Sequence, residues 1–229
     1  MKLENECTYY EIELEHVDNI KDLGVTMDCE LLFNTHVYDK INIAYKMLGI
    51  IKRNFKEVDK FTFLLLYKCF VRSHLEYASS VWSAYKIGII NDIDKVQKRA
   101  TKYVHVCKGM CYKDRLVYLH LPTLNYRRMR GSLIEVYKTL NGFYSEIVAP
   151  ELKRNLNSRT RGNSFKLLVN HCKHDLRKFS FCNRVTNFWN KLPNTVVNSS
   201  SLNMFKNSLD KYCLDTEVYF DTDCRCLVL

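Results

Sequence analysis

The sequence predicts a mainly α-helical fold, a helical bundle preceded by a short N-terminal β-hairpin. Only 7 Gly and 3 Pro occur in 229 residues, a small share that favours long helices over a turn-rich β-barrel. Apolar residues recur at steps of three and four along much of the chain, which is the period of a helix face. The hydrophobic content of 47% is that of a globular protein, so wholesale disorder is excluded.

Two short segments near the N-terminus predict strands. Tyr10, Ile12 and Leu14 alternate with glutamates over residues 8–14, which is the period of a half-buried strand. Residues 22–27 predict a second strand, and the two segments could form the hairpin.

Helices are predicted from residue 35 onward. Thr35 is a candidate cap for the first, whose inward face would hold Val37, Ile41, Ala44, Leu48, Ile51 and Phe55. The C-terminal end of this helix, where the dipole favours cations, carries Lys52, Arg53 and Lys56. Asp59 is a candidate cap for a second helix that is apolar nearly all round and is therefore expected at the centre of the fold.

The helix predicted over residues 91–104 combines an apolar face with a cationic ridge. Asn91 is its candidate cap, and Ile93, Val96, Ala100 and Tyr103 would face the core. The ridge follows the spacing i, i+3, i+4, i+7 and consists of Lys95, Lys98, Arg99 and Lys102. No acid is expected to pair with this ridge, so contact with phosphates and an ordinary solvated face are equally good interpretations.

Two further helices and a basic segment complete the pattern. Thr123 is expected to cap a helix that ends at Asn141-Gly142, and Ser201 to cap the last helix. The first of these carries Arg127, Arg128 and Arg130 near its N-terminus, the wrong end for cations to stabilise a helix dipole. Residues 151–185 hold nine bases and two acids, include Arg159 and Arg161 in a loop, and offer segments 164–170 and 176–182 as a second small hairpin.

The uneven charge predicts a polyanionic partner. Residues 1–30 hold two bases and nine acids, a net charge of −7, whereas the rest of the chain carries a net charge of +17. A positive body of this size suggests a polyanionic partner, most simply RNA, DNA or an RNA–DNA hybrid bound through the phosphate backbone. The alternative interpretation is a soluble surface that happens to be basic. The candidate contact residues are Lys52, Arg53, Lys56, Lys95, Lys98, Arg99, Lys102, Arg127, Arg128, Arg130, Arg159 and Arg161.

Motifs of the common catalytic sites are missing from the sequence, so we expect a non-catalytic protein with no cofactor. It contains no Gly-x-Gly-x-x-Gly, Walker A, His-Glu-x-x-His or Gly-x-Ser-x-Gly motif, and no adjacent Asp-Asp pair that would supply ligands for a two-metal polymerase. Cysteines are numerous, but they lack the paired Cys-x₂-Cys spacing of zinc sites, so no metal is expected.

The two termini predict an intracellular protein, nuclear or cytoplasmic. The acidic N-terminus lacks the apolar core of a signal peptide, so the ten cysteines are expected to be reduced. The last four residues, Cys226-Leu-Val-Leu229, match a prenylation box. Because the preceding residues are acidic and would be repelled by anionic lipid, a membrane is not the expected partner.

Several ordered blocks resemble the C-terminal part of non-LTR retrotransposon reverse transcriptases, most closely the jockey/CR1-like group. Asp22-Leu-Gly-Val-Thr-Met-Asp28, followed by Leu31-x-Phe33-x-x-His36, is similar to the segment that closes the palm of these enzymes. The later blocks keep the family's order and are Phe63–Ala78 with Val81-Trp82, Val96–Thr101, Leu121–Gly131, Glu135–Lys138 and Trp189–Pro193. The family commonly has proline at the positions of Ser73, Ser80 and Ala84.

The resemblance implies four parts. Residues 1–33 would be the end of the palm, 34–145 a helical thumb-like region, 146–213 a basic C-terminal region and 214–229 an acidic tail. The family's catalytic aspartates have no counterpart here, so the resemblance implies a fragment, such as a truncated copy, that grips the template–primer backbone without making bonds. The alternatives are an intact polymerase, which would need a carboxylate pair, and a domesticated interaction protein, which could carry a lipid on Cys226.

Overall fold

The fold is mainly helical, with a two-stranded antiparallel hairpin near the N-terminus, as predicted. The computed structural model describes residues 17–145, 147–155, 163–216 and 218–221. Strand β1 (Asn19–Asp22) pairs with β2 (Val25–Asp28), with Asn19 opposite Asp28 and Asp22 opposite Val25. The predicted strand over residues 22–27 is therefore interrupted by a two-residue turn, and the predicted strand over residues 8–14 lies outside the described residues.

The hairpin turn uses left-handed backbone at both central residues. Leu23 has φ 43° and Gly24 has φ +79°, the combination that matches the twist of two paired strands. Tyr77 closes this turn from the helical body, because its hydroxyl donates to the Leu23 carbonyl at 2.7 Å. Its ring would also lie only 3.5 Å from a Cβ at Gly24, so the glycine allows this close approach.

The long first helix, α1 (Asn34–Asn54), buries the predicted face from Val37 to Ile51. Its start differs from the prediction: Thr35 lies inside the helix, and the Asp28 carboxylate at the end of β2 accepts from the Leu32 and Phe33 amides at 2.8 and 2.7 Å. Phe55 follows the helix and is 41% exposed, so it does not belong to the core.

The second helical segment has three parts. Helix α2 (Lys60–Leu66) leads into a π-helical stretch (Tyr67–Arg72) and then α3 (Ser73–Glu76). Asp59 caps α2 as predicted, accepting from the Phe61 and Thr62 amides. This segment, expected at the centre of the fold, contributes Phe63, Tyr67 and Val71 to the buried core, but its other side is exposed, with Phe61 76% exposed.

The remaining elements are mostly short helices around one long one. The helices are α4 (Ser79–Trp82), α5 (Ile87–Ala100), α6 (Tyr112–Leu119), α7 (Leu124–Leu140), α8 (Asp175–Lys178), α9 (Phe181–Lys191), α10 (Asn194–Val197) and α11 (Leu202–Asp215). The Thr123 hydroxyl caps α7 and the Ser201 hydroxyl caps α11, each at 3.2 Å, as predicted. Asn91 does not cap α5, which begins one turn earlier at Ile87.

The second hairpin predicted near residues 164–182 does not form. Leu167 instead makes an isolated antiparallel bridge with Arg154, and α8 and the start of α9 occupy the region where the second strand was expected. Leu167 is buried, and the Asn190 side chain of α9 bonds both its amide and its carbonyl, at 2.8 and 2.9 Å. This side-chain pairing replaces a partner strand.

Two hydrophobic clusters share helix α7. The first runs from Val25 to Leu124 and includes the faces of α1, the π-helical stretch and α5. The second runs from Tyr126 to Cys213 and is built by α7, α9, α10 and α11. The domain boundary predicted at residue 145 thus lies after the end of α7. The chain passes from the first cluster to the second earlier, in the first turn of α7.

Candidate nucleic-acid interface

Helices α1 and α5 lie side by side and run in the same direction. The Tyr38 hydroxyl of α1 donates to Asp92 of α5 at 3.2 Å, and the Arg99 guanidinium of α5 lies 5.6 Å from the centre of the Tyr45 ring of α1. The two contacts are seven residues apart on both helices, which is about 10 Å of helix rise. The helices therefore advance in parallel, and their C-terminal ends reach the same end of the molecule.

This parallel packing aligns cations from two helices. On α5, Arg99 lies one turn after Lys95, and Lys102 follows in a short 3-10 turn (Thr101–Tyr103). On α1, Lys52 lies two turns beyond Tyr45 on the same side of the helix. We call this surface the seam and define it by Tyr45, Lys52, Lys95, Arg99 and Lys102.

The seam is bordered by two further cations, one in the last turn of α1 and one just after the helix ends. Arg53, next to Lys52 in the last turn, and Lys56, two residues after the helix, are both exposed. Within the part of the chain that the structure describes, Lys52, Arg53, Lys56 and Lys102 make no ion pair. Their charge is thus available to a ligand, and all four are among the candidate contacts that the sequence predicts.

One lysine of the seam has a carboxylate partner, contrary to expectation. The Lys95 ammonium lies 2.8 Å from Asp92, three residues earlier on the same helix. The hydrogen bond from Lys95 lowers the pKa of Asp92, and the hydroxyl of Tyr38 acts in the same direction. Since Lys95 remains 64% exposed, the pair is weakly held and a phosphate could compete for the lysine.

Lys98 lies at the flank of the seam rather than on it. Its ammonium lies 5.3 Å from the centre of the Tyr112 ring of α6, and the Arg115 guanidinium lies 5.5 Å from the same ring. Arg115 also donates to the Lys98 carbonyl at 3.1 Å. Lys98 is therefore half-buried in the contact between α5 and α6.

The three arginines of α7 are engaged inside the fold. Arg127 forms two hydrogen bonds to the Glu76 carboxylate, at 2.7 and 2.8 Å, and Arg130 donates to both carboxylate oxygens of Asp210 in the same bidentate way. Arg128 is only 3% exposed. The expectation that these residues reach a phosphate backbone has no geometric support, because α7 lies between the two cores and its arginines link it to α3 and α11.

Asp210 of α11 is held against α7 by hydrogen bonds from Arg130 and Tyr126. Burial opposes ionisation of Asp210, but hydrogen bonds from Arg130 and Tyr126 outweigh it and keep the pKa of this carboxyl low. Burial and the same hydrogen bond to Asp210 raise the pKa of Tyr126 far above its ordinary value, so the phenol stays protonated and donates at 2.6 Å.

Three other predicted positions lie outside the described residues. They are Arg159, Arg161 and the Cys226 of the prenylation box. The sequence prediction also missed the two tyrosines that join α1 to α5. A signal for them was present, because Tyr38, Tyr45 and Lys52 are spaced by seven residues and so share one line on the helix.

Comparison with known proteins does not assign this chain to a family. The chain matches no protein-family model, no curated protein and no solved structure. No helix in the described ranges is long and apolar enough to cross a membrane. Nor do the described residues bring together three or more His, Cys, Asp or Glu side chains in an arrangement that could hold a metal ion.

Proposed function

We propose that this chain is a non-catalytic, sequence-independent nucleic-acid-binding protein that grips the sugar–phosphate backbone of RNA, DNA or an RNA–DNA hybrid along the seam. The observation that carries the proposal is the parallel packing of α1 and α5, which sets Arg99 of α5 beside Tyr45 of α1. Helical spacing then puts Lys95 and Lys102 in line with Arg99, and Lys52 in line with Tyr45. Lysines and arginines in such an array can replace the counterions of a phosphate backbone, and their release drives binding without reading sequence.

The charge of the whole chain supports the same proposal. The net charge of +10 favours encounter with any polyanion. The ring of Tyr45 lies beside Arg99 in the seam, and Tyr38 borders the seam through its hydrogen bond to Asp92. Such rings suit contact with sugars and unpaired bases as well as phosphates.

We further propose an origin in the thumb and post-thumb part of a jockey/CR1-like non-LTR retrotransposon reverse transcriptase. The support is the order of the resembling blocks together with a cationic, mainly helical body. A thumb holds a template–primer duplex by its backbone, which is the kind of contact that the seam offers.

The proposal predicts salt-sensitive binding that depends on the seam. Anisotropy titration of a labelled RNA–DNA hybrid should give a dissociation constant that is micromolar or weaker near 50 mM salt and rises steeply toward about 200 mM. Replacing four seam cations with glutamine should make the plot of log affinity against log salt shallower, by about one in slope for each phosphate that the variant no longer neutralises. The substitutions are Lys52→Gln, Lys95→Gln, Arg99→Gln and Lys102→Gln.

A control that removes the same amount of charge separates the seam from net charge. The matched variant replaces four exposed lysines that lie off the seam: Lys86→Gln, Lys173→Gln, Lys191→Gln and Lys211→Gln. It should keep most of the affinity and nearly all of the salt slope. Equal weakening in the two variants, or no binding by the unmodified chain at about 50 mM salt, would contradict the proposal.

A further inference from the structure

A cleft of about 450 Å³ lies between α8, the start of α9 and the segment before them. Its walls include His171, Lys178, Phe179, Asn183, Arg184 and Phe188. The volume is within the range of small-ligand sites, which runs from about 300 to 1,000 Å³. None of these residues belongs to the seam.

Arg184 supplies a half-buried positive charge to this cleft. Its guanidinium donates to the backbone carbonyls of Phe179, at 3.3 Å, and Ser80, and lies 5.5 Å from the centre of the Phe181 ring. Among the described residues no carboxylate pairs with it, and burial lowers the pKa of this guanidinium to about 10. The two carbonyls use only part of its donor capacity, so an anion could still bind.

The rest of the lining matches an anion with an attached ring. Lys178 is exposed at the rim, with its ammonium 5.3 Å from the centre of the Phe179 ring. The lining residues include no Asp or Glu, but they do include the amides of Asn170, Asn183 and Asn187. Phe179 is held in place by stacking on Tyr85 at 4.2 Å, and Phe188 adds a second aromatic wall.

We propose that this cleft binds a mononucleotide, with the phosphate on Arg184 and Lys178 and the base against Phe188 and the asparagine amides. A bare phosphate would leave most of the volume empty, whereas a nucleotide fills it. Charge-assisted hydrogen bonds from a guanidinium suit phosphate oxygens, and side-chain amides can pair with base edges. The site goes beyond the proposed function, because it is separate from the seam and does not require a duplex.

Calorimetric titration of the full chain tests the proposal with three ligands. Adenosine 5′-monophosphate should bind with one-to-one stoichiometry, and adenosine or inorganic phosphate should bind at least about tenfold more weakly, since each lacks half of the interactions. Undetectable binding of the nucleotide, or equal binding of inorganic phosphate, would overturn the assignment.

Two lysine variants locate the site. Lys178→Ala should weaken nucleotide binding by about tenfold, because it removes a charged group from an exposed position where folding is not at risk. Lys173→Ala, which changes an exposed lysine of the same segment that does not line the cleft, should leave binding unchanged. Equal effects of the two variants would place the nucleotide elsewhere and overturn the proposal.

A competition experiment distinguishes a free mononucleotide from a nucleotide within a nucleic-acid strand as the ligand of the cleft. Displacement of adenosine monophosphate by a short single-stranded oligonucleotide, in a manner sensitive to Lys178→Ala, supports the cleft and makes a nucleic-acid strand its ligand. Retention of the bound mononucleotide supports the cleft as a site for free nucleotides. Because the seam variant leaves the cleft intact, failure of the nucleotide titration and failure of hybrid binding are separate results.

Discussion

At the scale of single residues, His36 joins the hairpin to the helical body. It is 1% exposed, its Nδ1 accepts from the Thr26 amide at 3.1 Å, and its ring lies 5.6 Å from that of Trp82. Burial lowers the pKa of His36 below its ordinary 6.5; Lys40 and Lys21 act in the same direction, and Asp39 opposes them. The imidazole must be neutral to accept this hydrogen bond, so protonation acts against docking of the hairpin.

Stability should therefore fall at mildly acidic pH. The unfolded chain takes up a proton on His36 near its ordinary pKa of 6.5, whereas the folded chain resists it to lower pH. The contribution of this residue is thus complete above pH 6.5 and declines as the pH falls toward the lowered pKa. Urea unfolding between about pH 8 and pH 5 should show a steeper decline for the unmodified chain than for His36→Asn, and parallel declines would refute this role.

Cations illustrate how far single residues can be interpreted from sequence. In the sequence, Arg127 and Arg130 were as good candidates for phosphate contacts as Lys102 and Lys52, because the sequence does not show which carboxylate a cation will pair with. The partners of the two arginines lie 51 and 80 residues away along the chain, so only the assembled fold brings them into contact. Burial of Arg128 at 3% exposure was equally invisible, since its neighbours in the sequence are also basic.

At the scale of elements, the cap of α7 offers a local test. The Thr123 hydroxyl is buried and accepts from the Tyr126 amide. Thr123→Val keeps the shape but leaves that amide without its acceptor, which should cost about 1 kcal/mol of unfolding free energy. Thr139→Val, in the last turn of the same helix, removes a hydroxyl that donates to the Glu135 carbonyl and should change little. If both variants lost the same unfolding free energy, the Thr123 hydroxyl would not be acting as the cap of α7.

Elements were predictable where local chemistry decides them. The caps Asp59, Thr123 and Ser201 were identified correctly, because a cap bonds amides two or three residues away. The prediction that Thr35 caps α1 was wrong because the helix begins at Asn34, with Phe33 in left-handed backbone at the cap position and no side chain capping it. Asp28 instead fixes the segment before the helix through the Leu32 and Phe33 amides. The prediction that Asn91 caps α5 was wrong because the helix begins four residues earlier, at Ile87, and buries Ile89 and Ile90.

The apolar second helix shows a limit of periodicity. A helix that is hydrophobic on all sides predicts burial on all sides, yet Phe61, Leu65 and Phe70 are 76, 56 and 53% exposed. The buried face consists of Phe63, Tyr67 and Val71, which belong to the first core together with the inward face of α1. The sequence also could not predict the seam as a unit, because the parallel alignment of α1 and α5 depends on tertiary packing.

At the scale of the whole molecule, α7 couples the two cores. Arg127 links it to Glu76 in the half that contains the hairpin, and Arg130 links it to Asp210 in the other half. The far end of the chain also reaches this helix, since the Thr123 amide donates to the Tyr219 carbonyl at 3.3 Å and the Tyr126 and Tyr219 rings lie 4.8 Å apart. Part of the segment predicted as an acidic tail is thus packed against the body.

This coupling predicts that the two cores unfold together. The chain has 2 tryptophans, and each reports on one core: Trp82 is 2% exposed in the first and Trp189 is 1% exposed in the second. In each of the variants Trp82→Phe and Trp189→Phe, the remaining fluorophore and the helical circular dichroism should give the same urea midpoint, because a shared helix cannot be intact in one half alone. Separate midpoints would mean that α7 stays folded with one core after the other has melted, and that the halves are independent domains.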